Sequence, residues 1–184
     1  MSRIPNEITI EKEGTGNLYY SVYLKYYESK EGFEPSKGAI RIERTYSRVT
    51  WEGKQKVMVP LEDGATVKSG EEIEVTLKLE CDGNYEYVMI EDPIPAGCEI
   101  VKEDSFYGLW GCRGRWRWWY SRIEARDDKV CVAATYLRGG QAIQYTLRAE
   151  TPGDFHVLPT FAYNMYATEI AGSSGENRIK VTDR

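Results

Sequence analysis

Apolar and polar residues alternate along most of this chain, and a period of two is the pattern of a β-strand with one buried face. In EEIEVTLKLE, one face carries Ile73, Val75, Leu77 and Leu79, while acidic, threonine and lysine side chains occupy the other. No window shows the sustained apolar stripe of an amphipathic helix. The chain is therefore predicted to be all-β.

Turns rich in Gly, Asp, Asn and Pro separate the predicted strands. A tight hairpin turn is predicted at Leu137–Gln141, where Gly139 and Gly140 can supply the positive φ that such a turn needs. Pro152 and Gly153 are predicted to form the centre of a type II turn. Many short strands joined by such turns predict an antiparallel β-sandwich of immunoglobulin-like type. The main predicted strands are Leu18–Leu24, Ile73–Leu79, Tyr85–Ile90, Val130–Tyr136, Ala142–Ala149, Phe155–Leu158 and Asn177–Val181.

The 184 residues suffice for one domain and part of another. A polar segment containing Gly and Pro, Glu28–Lys37, predicts the boundary between them. We expect residues 1–36 to be lead-in strands that complete, or link to, a preceding domain. Residues 37–184 are expected to form the main sandwich.

Charge and hydropathy exclude several classes of partner. The net charge of −5 gives no basic field for nucleic acid. No apolar run is long enough to span a membrane, so no direct membrane insertion is expected. The opening sequence MSRIPNEITIEKEG lacks the apolar centre of a signal peptide.

The residues capable of catalysis do not form a recognisable active site. The single histidine, His156, has only Asp154 near it in the sequence, although a catalytic histidine needs a nucleophile or an orienting carboxylate. Adjacent carboxylates such as Glu91 and Asp92 point to opposite faces of a strand. The alternating oxygen ligands of a calcium loop are also absent. The chain is thus predicted not to be an enzyme and to hold no cofactor or metal.

The chain has four cysteines but no C-x-x-C pair, which argues against a zinc site or a thioredoxin-like motif. Reduced thiols are the favoured interpretation, and one disulfide that includes Cys112 is the alternative. The cysteines are Cys81, Cys98, Cys112 and Cys131.

The segment WGCRGRWRWWY, Trp110–Tyr120, is the least ordinary part of the sequence. Trp and Arg dominate protein-binding hot spots, so the segment is a candidate interaction site. The favoured alternative is a loop that folds its indoles onto the sandwich; nucleic-acid or carbohydrate binding is disfavoured. The candidate protein-interaction residues are Trp110, Arg113, Arg115, Trp116, Arg117, Trp118 and Trp119.

Four short motifs follow one another in a fixed order within residues 38–181. They are D-x-x-P-A-G-x-E from Asp92, E-x-R-D-D-x-V from Glu124, R-A-x-T-P-G-x-F from Arg148 and A-x-x-M-Y from Ala162. In combination they resemble the carboxy-terminal part of bacterial alpha-2-macroglobulin-like proteins. The resemblance implies a macroglobulin-type β-sandwich, the counterpart of the receptor-binding domain in animal members.

Intact members of that family trap proteases: a bait region is cut, the molecule rearranges, and a thioester may bond the protease. No cysteine here starts the thioester motif Cys-x-Glu-Gln, and no bait region is recognisable. The resemblance therefore implies a non-catalytic structural or interaction domain of a broad-range endopeptidase inhibitor. Its implied partners are other domains of the same polypeptide and, indirectly, proteases, at an extracytoplasmic location in the periplasm or on the cell surface. The alternative is a stand-alone adhesion or protein-binding sandwich that uses residues 110–120.

Overall fold

The computed structural model describes residues 8–22, 32–36, 38–101 and 120–183. The chain divides into two compact units, Met1–Lys30 and Glu31–Arg184. In the first unit, residues 8–22 contain no strand, so the strand predicted to begin at Leu18 does not form over its described part. Strands need partners to satisfy their backbone groups, and alternation alone does not supply them.

Every regular element in the described part of the second unit is a β-strand. The described residues contain no helix that is long and apolar enough to cross a membrane. The strands are β1 (Ile40–Glu52), β2 (Gln55–Leu61), β3 (Ala65–Lys68), β4 (Glu72–Pro93), β5 (Cys98–Ile100), β6 (Tyr120–Ala125), β7 (Lys129–Ala149), β8 (Gly153–Val157), β9 (Phe161–Asn164), β10 (Ala171–Ser173) and β11 (Asn177–Thr182).

The spine of the fold is a long antiparallel ribbon of β4 and β7, which pair from Glu72 opposite Arg148 to Pro93 opposite Lys129. The hairpin turn predicted at Leu137–Gln141 is therefore wrong, because β7 continues through these residues as a single, bent strand. Gly139 does take a positive φ of 60°, whereas Gly140 does not. The ladder slips between Glu80 and Asn84 opposite this glycine, so the left-handed residue forms a bulge that bends the strand and does not end it in a hairpin.

This bulge folds the ribbon back on itself. Tyr145 lies opposite Val75 in the ladder, and a straight strand would put Asp92 about 55 Å from Val75. Yet the Tyr145 hydroxyl donates a hydrogen bond to the Asp92 carboxylate. The two halves of the ribbon therefore face each other and become the two layers of a sandwich.

The remaining strands extend these layers. β1 pairs with the first half of β4 and carries β2, and β5 pairs with the end of β7. β9, β10 and β6 extend the second half of the ribbon. A separate three-stranded sheet has the order β3-β11-β8, in which β3 and β11 are parallel. Apart from that pair, the described ladders are antiparallel, and the predicted antiparallel sandwich is confirmed.

The hydrophobic core contains the apolar residues that alternate along the first half of β4. Ile73, Val75, Leu77 and Leu79 are all fully buried. The segment Tyr85–Ile90, predicted as a more completely buried strand, has only Val88 and Ile90 buried, and its other side chains are half-buried or exposed.

Candidate functional site

The seven tryptophan and arginine residues proposed from the sequence, between Trp110 and Trp119, lie outside the described residues. Their candidacy as a protein-interaction site stays a prediction. Within the described residues, a network of hydrogen-bonded polar side chains is buried in the interior of the sandwich.

An ion pair is buried between the layers. Arg44 Nη1 lies 2.8 Å from Asp92 Oδ1, and both side chains are almost completely excluded from solvent. Asp92 also accepts hydrogen bonds from the Tyr145 hydroxyl and from Thr160 Oγ1, the latter at 2.7 Å. The carboxylate thus has three partners, as a buried charge requires.

The arginine is satisfied just as fully. Its Nε donates to Asn177 Oδ1 at 3.0 Å, and Nη2 donates to the Val157 carbonyl at 3.3 Å. The guanidinium also lies over the Tyr46 ring, 5.7 Å from its centroid. Because its members come from β1, β4, β7, the segment after β8, and β11, the network ties together elements from both layers and from the small sheet.

Local sequence explains why these groups meet. Ile40, Ile42, Arg44 and Tyr46 are the inward-facing residues of β1, so the arginine occupies a core position. Asp92 is the last inward residue of β4 before the P-A-G turn. Reasoning from sequence missed the pair; the available signal was an arginine in the apolar phase of IRIERTY, which requires a buried acid as partner.

Three members of this network hold their protons near neutral pH. Burial disfavours the charged form of Arg44, but the neighbouring Tyr46 and Asp92 outweigh it and raise the pKa of the guanidinium. Burial raises the pKa values of the Tyr46 and Tyr145 hydroxyls. The base stays charged and the phenols stay protonated, so these three groups can orient and stabilise but cannot shuttle a proton.

His156 has an orienting carboxylate that the sequence did not reveal. Its Nε2 lies 2.9 Å from Glu176 Oε1, because β8 and β11 pair at this end. The Glu176 carboxylate also accepts a hydrogen bond from the Gly32 amide, and the Glu176 amide donates to the Phe33 carbonyl at 3.1 Å. Desolvation opposes ionisation of Glu176, but the Gly32, Phe33 and His156 contacts prevail and lower its pKa. The pair therefore fastens residues 32–36 to the sheet.

The described residues include no group of three or more His, Cys, Asp or Glu side chains placed to hold a metal ion. Cys81, Cys98 and Cys131 are free thiols, whereas Cys112 lies outside the described residues. Burial raises the pKa of Cys98 to about 12. A protonated thiol is a poor nucleophile, so Cys98 is a structural core residue.

Two of the sequence motifs pack against each other. Phe155 of R-A-x-T-P-G-x-F lies against both Gly97 and Gly153, and a Cβ on either glycine would overlap its ring. The Gly97 carbonyl accepts hydrogen bonds from the Glu150 and Thr151 amides. Gly153 has no positive φ and begins β8, so the predicted type II turn is wrong; the ring needs the space that glycine leaves.

Comparison with known families gives one match that covers most of the chain. Residues 40–169 match the family described as the bacterial alpha-2-macroglobulin MG10 domain. The matched region contains all four motifs and both Arg44 and Asp92, while Asn177 and Glu176 lie beyond it.

The curated relatives are much longer proteins. An alpha-2-macroglobulin homolog from Nostoc sp. is 25% identical over 100% of this chain and 10% of its own length. The alpha-2-macroglobulin of Thermotoga maritima is 33% identical over 55% of this chain and 7% of its own length. A circularly permutated Ras protein 2 from Dictyostelium discoideum is 26% identical over 95% of this chain and 4% of its length. The chain thus spans a tenth or less of these relatives.

Solved structures agree on the fold. Salmonella alpha-2-macroglobulin superposes with a TM-score of 0.65 at 24% identity, over 85% of this chain and 10% of that one. The native conformation of Escherichia coli alpha-2-macroglobulin gives a TM-score of 0.67 at 19% identity, over 85% of this chain and 10% of that one.

Proposed function

Since this chain belongs to the MG10 domain family of bacterial alpha-2-macroglobulins, we propose that it is a non-catalytic structural domain of a macroglobulin-like endopeptidase inhibitor. Its position is at the carboxy-terminal end of that inhibitor, and its direct partners are other domains of the same polypeptide. Proteases are indirect partners, and the location is extracytoplasmic.

One observation carries the proposal. The carboxylate of Asp92, the first residue of the D-x-x-P-A-G-x-E motif, accepts hydrogen bonds from three buried side chains on other parts of the sandwich. A buried ion pair that joins several elements fixes their arrangement. A domain of this construction transmits or resists movement of its neighbours as a rigid body.

The solved relatives support a link to proteases. Escherichia coli alpha-2-macroglobulin has been solved in forms described as trypsin-activated and as activated by porcine elastase. Those descriptions concern that protein. By analogy, we propose that this chain is one rigid domain within a larger molecule that responds to cleavage by a protease.

The first unit has a place in this proposal. Large apolar side chains among residues 8–22 are exposed, although Leu18, Tyr20 and Val22 have the spacing of one buried strand face. Such a segment gains stability when it completes the core of another domain; the sequence predicts this role for residues 1–36, and we propose it for the first unit, Met1–Lys30. The similarity to the Nostoc protein extends over these residues as well. The exposed side chains are Ile8, Ile10, Leu18, Tyr19, Tyr20 and Val22.

The test compares this chain with the polypeptide encoded by the complete gene. Each is incubated with trypsin, and trypsin activity is measured on a large protein substrate and on a small peptide substrate. We expect the chain alone to change neither activity. The complete polypeptide should suppress cleavage of the large substrate and spare the small one, because a trapped protease stays accessible only to small molecules.

Two results would contradict the proposal. The first is stoichiometric inhibition, or hydrolysis of any substrate, by this chain alone. The second is a complete polypeptide that leaves both trypsin activities unchanged. Replacement of Trp116, Trp118 and Trp119 by Ala in the same assay tests whether the tryptophan-rich segment contributes a contact, since loss of trapping with an intact fold would assign it one.

A further inference from the structure

A cleft opens on the outer surface of the sandwich where the hairpin of β1 and β2 projects beyond β4. β1 pairs with β4 only as far as Arg48 opposite Ile73, whereas its pairing with β2 continues to Glu52. Trp51 stands on this projection and is 63% exposed. The cleft has a volume of about 500 Å³. We name it the Trp51 cleft, and it is lined by Val49, Trp51, Gly70, Glu71, Glu72 and Arg148.

The cleft combines an apolar wall with a polar one. Val49 and Trp51 are two residues apart on β1, so they share a face of the strand. Glu72 and Arg148 are partners in the ladder of β4 with β7, and Arg148 Nη2 lies 3.0 Å from Glu72 Oε1. Both side chains are partly exposed, so the pair presents N–H donors and carboxylate oxygens to a ligand. An apolar surface with a few fixed polar groups, in a volume of about 300–1,000 Å³, is typical of a small-molecule site.

Backbone hydrogen bonds hold the base of the cleft in place. The Glu71 amide donates to the Lys68 carbonyl at 3.0 Å and closes a turn, in which Gly70 takes the third position with a φ of 88°. The Gly70 amide donates to the Ala149 carbonyl at 2.7 Å, and the Ala149 amide donates to the Glu71 carbonyl at 3.0 Å. The cleft is therefore formed before a ligand arrives, which lowers the entropic cost of binding.

The charges around the cleft are balanced. Glu72 is paired with Arg148, and Glu71 Oε2 lies 3.1 Å from Arg48 Nε. Two carboxylates thus face two guanidinium groups, and neither sign is in excess. An anionic ligand would be favoured by excess positive charge and a cationic ligand by excess negative charge. The cleft therefore favours a neutral ligand that both donates and accepts hydrogen bonds.

A carbohydrate has this chemistry. Its hydroxyl groups donate and accept hydrogen bonds, and when they are equatorial the axial C–H bonds make each face of the sugar ring apolar. The face of an indole carries negative potential, on which such C–H groups pack. We propose that the Trp51 cleft binds a neutral oligosaccharide of pyranose rings with equatorial hydroxyl groups. Trp51 stacks on one ring, Glu72 accepts a hydrogen bond from a hydroxyl group, and Arg148 donates to another. This inference is independent of the proposed function, because it concerns a ligand and not a protease.

Nuclear magnetic resonance titration of the ¹⁵N-labelled chain tests the inference. The probes are the β-1,4-linked tetramer of glucose and the β-1,4-linked tetramer of N-acetylglucosamine, both of which are neutral. We expect saturable shifts of the Trp51 indole N–H and of the amides of residues 70–72 with at least one probe. The expected Kd is about 1 mM or tighter.

Substitutions separate stacking from general hydrophobicity. Trp51→Leu keeps an apolar side chain but removes the flat ring, and it should weaken binding by roughly tenfold or more. Trp51→Tyr keeps an aromatic face and should retain most of the affinity. Arg148→Met removes the donors and should weaken binding by about tenfold. The matched control is Tyr166→Leu next to β9, where the aromatic residue is 82% exposed, and it should leave the Kd unchanged.

Each remaining outcome overturns the inference. The first is the absence of saturable shifts with both oligosaccharides, and the second is equal loss of affinity in Trp51→Leu and Tyr166→Leu. Tighter binding of a sulfated tetrasaccharide than of the neutral probes would show that charge selects the ligand. A synthetic oligoproline peptide that shifts the same resonances when neither oligosaccharide does would assign the cleft to a polypeptide. Thermal unfolding of every variant checks that it still folds.

Discussion

At the residue scale, the most consequential side chain is Asp92. Its carboxylate is the acceptor for a guanidinium and two hydroxyl groups, and it has no access to water. A buried charge of this kind contributes little net stability when paired, but its removal leaves the partner charge uncompensated. The aspartate therefore matters more for fixing the arrangement of strands than for the total free energy of folding.

Replacing Asp92 by Asn is expected to lower the free energy of unfolding by about 3–5 kcal/mol, because Arg44 keeps its charge in an apolar interior. Urea unfolding measures the change. The control is Glu80→Gln, whose pair with Arg41 is about two thirds exposed and whose loss should cost less than about 1 kcal/mol. The double variant Arg44→Met with Asp92→Leu should recover part of the loss, because no charge is left unpaired although the Tyr145 and Thr160 hydroxyls lose their acceptor. Similar effects of Asp92→Asn and Glu80→Gln would contradict this account.

At the element scale, the decisive feature is the close approach of β10 to the start of β1. A Cβ on Gly172 would overlap the Ile40 carbonyl oxygen, and a Cβ on Gly38 would overlap the Ala171 carbonyl oxygen. Neither glycine has a positive φ, so each is needed for its small size and not for its backbone freedom. The glycines let strands of the two layers meet at this edge.

We expect Gly172→Ala to destabilise the protein by about 1–3 kcal/mol, since backbone atoms have little freedom to move away. The matched control is Gly140→Ala in β7, where an added Cβ meets nothing within 4 Å and φ is not positive. That substitution should change stability by no more than about 0.5 kcal/mol, or slightly increase it. Thermal unfolding compares the two. Equal destabilisation by both would show that the contact between β1 and β10 is looser than described.

At the scale of the whole molecule, the chain is one sandwich preceded by a separate compact unit. The buried core residues of the described part run from Ile40 to Val181. All of them belong to the unit Glu31–Arg184. A unit with its own core is expected to fold alone.

Deletion of residues 1–30 is therefore predicted to preserve a cooperative thermal transition, with a Tm within about 3 °C of the full chain. Differential scanning calorimetry makes the measurement. Deletion of residues 177–184 is the contrasting variant, because it removes β11 with the buried Ile179 and Val181, and it should abolish the transition. Loss of cooperativity on removing residues 1–30 would assign those residues to the core.

The sequence by itself determined the class of fold, the buried phase of the β4 segment Ile73–Leu79, and the family, because each rests on local alternation or on short motifs. It did not determine that Leu137–Gln141 continues a strand, because a left-handed glycine serves a turn and a bulge equally well. Nor did it reveal the pairings of Arg44 with Asp92 and of His156 with Glu176. Those partners are far apart in the chain, and only a ribbon folded into two layers and the register of β8 with β11 bring them together.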